Sequence, residues 1–234
     1  MPSSKQVVII MGAPGSGKGT QATLLSEKLN FYYIETSKII EANIMGAKKG
    51  ESVVIGGKKY LLDEEARKWK AGLINSPLMV SFWMKNRIRQ LAEGGENLIL
   101  AGSPRTAEES KELMPFLAKL YGKQNIKTIL LDISAKESIF RNSHRKICEL
   151  MRHPIIYSKE NEKLTNCPLD GSKLVRRKGL DDLETIKIRL ERYKEQTLPV
   201  INYLGKNGFW LKKINGMPAP AIVFANILKS LGEK

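Results

Sequence analysis

Cysteine and histidine are nearly absent from this chain, with two of each in 234 residues. Cys148 and Cys167 are too few for a disulfide framework, so the fold must rest on a hydrophobic core. No stretch approaches the roughly eighteen apolar residues of a membrane span, and the mean hydropathy is −0.27. The first apolar run, Val7–Met11, leads into glycines and an amphipathic segment rather than a small-residue cleavage site. That context predicts a cytoplasmic protein. Zinc-finger spacing, aromatic-interleaved basic repeats and internal repeats are also missing, so a nucleic-acid partner is not expected. Acidic residues are in deficit, 24 against 39 basic, for a net charge of +15. The excess suits a protein that handles polyphosphates, although a generally basic surface gives the same number.

What remains is an ordinary globular composition, 42% hydrophobic and 27% charged. Strand and helix patterns alternate, which argues for an α/β fold with a parallel sheet wrapped by helices. Strands are predicted at Gln6–Met11, Phe31–Ile34, Asn97–Ala101, Lys127–Ile133 and Phe209–Ile214. The first is apolar throughout, as a strand buried on both faces should be. Helices are predicted at Lys18–Leu29, Lys38–Ala47, Leu62–Ala71, Pro77–Ala92, Ala107–Leu120, Ala135–Leu150, Asp181–Leu204 and Ala219–Leu231. Two stretches break the alternation. Ser52–Leu62 carries Gly56-Gly57 between two short runs and reads as a hairpin. Met151–Lys178 is polar, basic and interrupted by Pro154 and Pro168, the composition of an active-site lid.

The segment Gly12-Ala13-Pro14-Gly15-Ser16-Gly17-Lys18-Gly19-Thr20 lies between a predicted strand and a predicted helix. That is the context a phosphate-binding loop requires. Glycines let several backbone N–H groups turn toward one anion, and the helix adds its positive end. Lys18 is expected to reach the outer phosphates of a nucleoside triphosphate, and the Thr20 hydroxyl its Mg2+.

The wording GAPGSGKGTQA, then Thr36, then Gly102-Ser103-Pro104-Arg105-Thr106 after a strand, resembles the adenylate kinase family of nucleoside monophosphate kinases. The likeness continues through Arg141 and Arg145, the lid-like insert, Asp181-Asp182, Arg189 and Asn215-Gly216. It implies a P-loop NTPase-type three-layer fold with a five-stranded parallel sheet. The core would be 1–35, 73–149 and 179–234, with a monophosphate-binding insert over 36–72 and a lid over 150–178. It implies a monomeric enzyme that moves the γ-phosphoryl of ATP to AMP with Mg2+. On this resemblance Gly15, Ser16, Gly17, Lys18, Gly19, Thr20, Arg141 and Arg145 bind ATP. Thr36, Gly102, Arg105, Glu109, Arg177 and Arg189 hold the monophosphate, with Arg176 the alternative to Arg177. Lys18, Arg105, Arg141, Arg145, Arg177 and Arg189 surround the transferring group. Guanidinium forks suit that role because each binds two oxygens and stays charged, and Arg141 and Arg145, four apart, would share a helix face.

Four departures from the family pattern stand out. An aspartate expected before the Gly-x-Pro-Arg segment is Ala101, with Asp132 as a substitute. An arginine expected five residues after Thr36 is Glu41, so a neighbouring cation such as Lys38, Arg67 or Lys70 must take its place or Glu41 must point away. The base-reading glutamine is Glu109, or Glu108 in the neighbouring register, which shifts expectation toward GMP or CMP because a carboxylate only accepts. The insert after Thr36 is also longer. These leave two other readings: the same fold with a different acceptor, and a nucleotide-binding protein with weak kinase activity. In the lid, Cys148, Cys167 and Asp170 match three zinc-ligand positions of the family; Met151 stands at the fourth, and His153 is a candidate to complete a Zn2+ site.

Overall fold

The computed structural model describes residues 5–71, 73–177 and 179–233. The boundaries expected at 72 and 178 fall outside those residues. The chain begins with β1 (Val7–Gly12), α1 (Lys18–Leu29) and β2 (Tyr32–Glu35). An insert follows, made of α2 (Thr36–Ile44), the hairpin β3 (Ser52–Ile55) and β4 (Lys58–Leu61), and α3 (Leu62–Lys70). Gly56 and Gly57 turn that hairpin at φ 58° and 79°, the paired left-handed values that a two-residue turn needs. The core resumes with α4 (Pro77–Glu93), β5 (Leu98–Ala101), α5 (Ala107–Tyr121), β6 (Ile126–Asp132) and α6 (Ala135–His144). The lid contains β7 (Lys146–Cys148), β8 (Pro154–Ile155) and β9 (Leu174–Val175), and the chain ends with α7 (Leu183–Arg192), α8 (Leu198–Lys206), β10 (Trp210–Asn215) and α9 (Pro220–Leu231).

Five parallel strands pair in the order β10-β6-β1-β5-β2, so β1 is central. Its side chains alternate between two cores. Val7 and Ile9 pack with Met84, Ile88, Leu113, Leu117 and Val200 of α4, α5 and α8. Val8 and Ile10 pack with Ala22, Leu25, Val223 and Ile227 of α1 and α9. Helices therefore cover both faces, which gives the three-layer α/β architecture. No helix among the described residues is long and apolar enough to cross a membrane.

Two predicted helices differ in the structure. The one expected over Ala135–Leu150 ends at His144, because Arg145 turns extended (ψ 130°) and feeds β7. The small sheet β8-β7-β9 thus begins at Lys146. The helix expected over Asp181–Leu204 widens over Tyr193–Thr197, where Leu198 N–H donates to Tyr193 O, five residues back. Pro199, which has no N–H and crowds the carbonyl four residues before it, accounts for the wider turn.

Glu65 joins the insert to the core. Its buried carboxylate accepts from Lys68 Nζ (2.6 Å), Asn75 Nδ2 (2.9 Å), Ser76 N (2.9 Å) and Ser76 Oγ (2.6 Å), and so caps the start of α4. Burial alone would raise this carboxyl, but the hydrogen bonds from Lys68, Ser76 and Asn75 hold it below its ordinary value.

Candidate active site

The loop between β1 and α1 is fixed by backbone fit. A Cβ on Gly12 would lie 2.6 Å from both Leu131 O and Ser16 Oγ, so no side chain fits there. Gly15 (φ 76°) packs against Asn142, whose Nδ2 a Cβ would meet at 2.6 Å. Ser138 Oγ donates to Pro14 O (2.6 Å), and α6 thereby buttresses the loop. Ser138 and Asn142, both fully buried, have structural roles that sequence reasoning missed. Two small polar residues four apart, on the helix that follows a central strand, were the available signal.

Gly17 precedes α1 in a left-handed conformation, with no side chain capping the helix and no acid in its first turn. Ser16 Oγ is buried without a partner among the described residues. Lys18 Nζ donates to Gly12 O and Ala13 O, both at 2.8 Å, which leaves one ammonium hydrogen for an anion. Gly19 and Thr20 continue the first turn of α1. Burial, and then the charges of Arg105, Arg189 and Arg177, push the Lys18 ammonium down to about 7. An anion among these groups would favour the charged form of each.

Thr36, Gly102 and Arg105 meet at the ends of β2 and β5. Thr36 Oγ1 donates to Ala101 O (3.3 Å), and Arg105 Nε donates to Gly102 O (2.6 Å). Gly102 adopts φ 99°, and a Cβ there would stand 3.1 Å from the Arg105 guanidinium and 3.5 Å from Thr36. Gly12, Lys18, Gly102, Arg105 and Arg189 line one cavity.

On its far side Asp181 gathers two arginines. Arg177 donates from Nε (3.1 Å) and Nη2 (2.9 Å), and Arg145 from Nε (3.2 Å) and Nη2. Arg189 Nη1 donates to Leu180 O (3.0 Å), and burial with Arg177 and Arg105 pushes its guanidinium down to about 10, against the pull of Asp181. Asp181 was not assigned a role from sequence. The Asp181-Asp182 pair was a usable signal, since only Asp182 caps α7, accepting from Thr185 N at 2.9 Å. Arg141 does not join this group. The expected shared face with Arg145 is lost where α6 ends; Arg141 pairs with Glu137 (2.6 Å) and donates to Met217 O (3.0 Å).

In the lid, Cys148, His153, Cys167 and Asp170 bring their ligating atoms within 4.8 Å of one another. His153 Nδ1 lies 3.0 Å from Cys148 Sγ, 3.6 Å from Cys167 Sγ and 3.9 Å from Asp170 Oδ2. Asp170 Oδ1 accepts from Ser172 N (2.9 Å) and Oγ (2.7 Å), while Oδ2 is buried without a hydrogen bond among the described residues. Met151 is 65% exposed and takes no part.

The adenylate kinase family model matches residues 10–209. The chain belongs to this family. An adenylate kinase of Chlamydia trachomatis serovar L2 is 34% identical over 99% of this chain and 92% of the relative. One of Mycoplasma mycoides subsp. mycoides SC is 33% identical over 88% and 89%, and one of Clostridium botulinum strain Loch Maree is 32% identical over 96% and 98%. As a family member the chain is a nucleoside monophosphate kinase, a phosphotransferase.

The departures from the family pattern have definite surroundings. Ala101 closes β5 as a buried methyl. Asp132 is tied to Lys213 across the neighbouring strand (2.9 Å) and is half-exposed, so it is a poor stand-in for the missing aspartate. Glu41 pairs with Arg152 of the lid at 3.9 Å rather than with Lys38, Arg67 or Lys70. Glu109 does not stand against a base. It lies buried beneath the Ser103–Arg105 turn, accepting on Oε2 from Arg105 N (2.8 Å) and Ser103 Oγ (3.1 Å). Burial pushes its carboxyl up, against the pull of Arg105. The reason for this placement is its position three residues after the cap Thr106, from which a carboxylate reaches back to backbone N–H groups.

Proposed function

We propose that this kinase transfers the γ-phosphoryl group of ATP to AMP, giving two ADP. The observation that carries the reading is the cavity that Gly12, Lys18, Gly102, Arg105 and Arg189 line together, where burial first, and then the charges of Arg105, Arg189 and Arg177, depress Lys18. Such crowding costs free energy unless anions fill the space, and two phosphate chains end to end would do so. An oxygen of the AMP phosphate attacks the γ-phosphorus, and the bond from that phosphorus to the β–γ bridging oxygen breaks, leaving ADP. Backbone amides 15–20 and Lys18 hold the donor phosphates. Arg105 aligns the acceptor phosphate between Gly102 and Thr36. Arg145 and Arg177, oriented by Asp181, and Arg189, held by Leu180 O, neutralise charge on the migrating group. Mg2+ carried in with ATP would offset phosphate charge, with the Thr20 hydroxyl as the protein group that would hold it; Ala101 offers no carboxylate to assist.

The lid residues fit Zn2+. Two sulfurs, one imidazole nitrogen and one carboxylate oxygen on a tetrahedron with usual bond lengths lie about 3–4 Å apart, the range of the His153 contacts. Asp170 Oδ2, buried without a hydrogen bond among the described residues, would supply the fourth ligand. Zinc there would hold the lid together and take no part in the transfer.

With Glu109 turned under Arg105, the argument for a guanine or cytosine acceptor loses its support. A coupled assay with ATP, Mg2+ and each of AMP, GMP, CMP and UMP tests the reading. AMP should exceed the others in kcat/KM by at least about tenfold; equal turnover of GMP would overturn the acceptor, and no turnover of any would overturn the transfer.

A further inference from the structure

Glu41 places an anion on α2, the helix that starts at Thr36 beside Gly102 and Arg105. Cations near it in sequence are engaged locally: Lys38 pairs with Glu35 (3.6 Å) and Arg67 with Glu64 (3.9 Å). The cation that does face Glu41 comes from 111 positions along the chain, on the lid. Arg152 is one of two non-glycine residues among those described with a positive φ, at 58°. Its N–H donates to Cys148 O (3.0 Å), and it sits between two members of the lid cluster, Cys148 and His153. A left-handed arginine costs about 1 kcal/mol or more that glycine would avoid. The lid nonetheless presents a guanidinium there, toward the insert.

We propose that Arg152 is the lid's contribution to the acceptor side, a positioning residue whose guanidinium masks Glu41 when the lid is down and so links lid closure to monophosphate binding. The inference rests on the kinase reading above. With the lid raised, Glu41 repels a phosphate dianion that approaches α2. With it lowered, Arg152 cancels that charge, so the monophosphate favours the closed form and the closed form favours the monophosphate. Such coupling is reciprocal by thermodynamic necessity. The pair is too exposed, 63% for Arg152 and 30% for Glu41, to matter much for folding stability. Its effect belongs to substrate affinity.

The test is a double-mutant cycle on the full chain with Arg152→Gly, Glu41→Gln and both, reading KM for AMP and for ATP separately. Glycine is at ease at φ 58°, so Arg152→Gly removes the charge without endangering the fold. Arg152→Gly should raise the AMP KM about threefold and move the ATP KM by less than about twofold. In the Glu41→Gln background, with no carboxylate to mask, the same change should leave the AMP KM unaltered. An unchanged AMP KM in the single variant, or an equal rise in both backgrounds, overturns the proposal. An unmutated chain that turns over no monophosphate fails earlier, and overturns the kinase reading together with this one.

Discussion

The phosphate loop and the lid hold their shapes by opposite means. The loop leans on the central strand of a five-stranded sheet, and a carbonyl of β6 and two side chains of α6 leave it no room to shift. The lid has strands of two or three residues, and Leu150, Met151 and Leu169 stand 69%, 65% and 78% exposed. Its buried members include Cys148 and Cys167, two of the four candidate ligands. A part that must stay still is built into the sheet by backbone contact. The smaller part is closed on itself by a few polar atoms, and needs little of the core to keep its form.

That contrast makes the two regions separable by experiment. The largest effect belongs to the loop. Lys18→Ala should lower kcat by about a thousandfold while moving the thermal midpoint little, because losing the hydrogen bonds to Gly12 O and Ala13 O is offset by removing a buried, crowded cation. Retained activity would mean that the ammonium is not the group that meets the phosphates. The next belongs to the lid. The purified protein should carry about one zinc per chain, and His153→Ala should abolish it and expose the lid to proteolysis while ATP binding persists. Stoichiometric metal in that variant would place the fourth ligand elsewhere, and its absence from the parent protein would mean that the cluster is held by hydrogen bonds alone.

The smallest effect distinguishes the regions by pH. Lys18 titrates near 7 in the folded chain and near 10.5 when unfolded, so between these values the unfolded chain binds the extra proton. Stability without nucleotide should therefore rise from pH 7 toward 9.5, by less than the limit of about 1.4 kcal/mol per pH unit set by one proton. Saturating ATP should flatten the slope by restoring the ammonium, and chelators that empty the lid should not. A slope that survives Lys18→Ala would trace to another group.

How much of this was legible in the sequence follows the distance over which each residue acts. The loop could be read because strand, glycines, lysine and helix are neighbours along the chain and each demands the next. The α/β order and the Gly56-Gly57 hairpin could be read for the same reason. The relation of Arg141 to Arg145 could not, since it depended on where α6 stops, and periodicity does not register a single extended residue that enters a strand. The placement of Glu109 could not be read either: Thr106, three residues back, caps a helix, and that local geometry turns the carboxylate under the backbone. The partner of Glu41 was beyond reach: nothing near it in sequence hints at Arg152, and only the folded lid brings them together. The Cys-Cys-Asp pattern suggested the lid cluster, whereas the way His153 enters it, past an exposed Met151, needed the turn itself.

Gly12 has a consequence for how the molecule fails. A side chain there would run into the carbonyl of Leu131 and the hydroxyl of Ser16, so the loop holds its curvature only while β1 and β6 lie side by side. Heat or urea that parts those strands dissolves the nucleotide cradle in the same event. Binding of ATP should then vanish along the same curve as the sheet's circular dichroism, with no half-melted species that still grips its ligand.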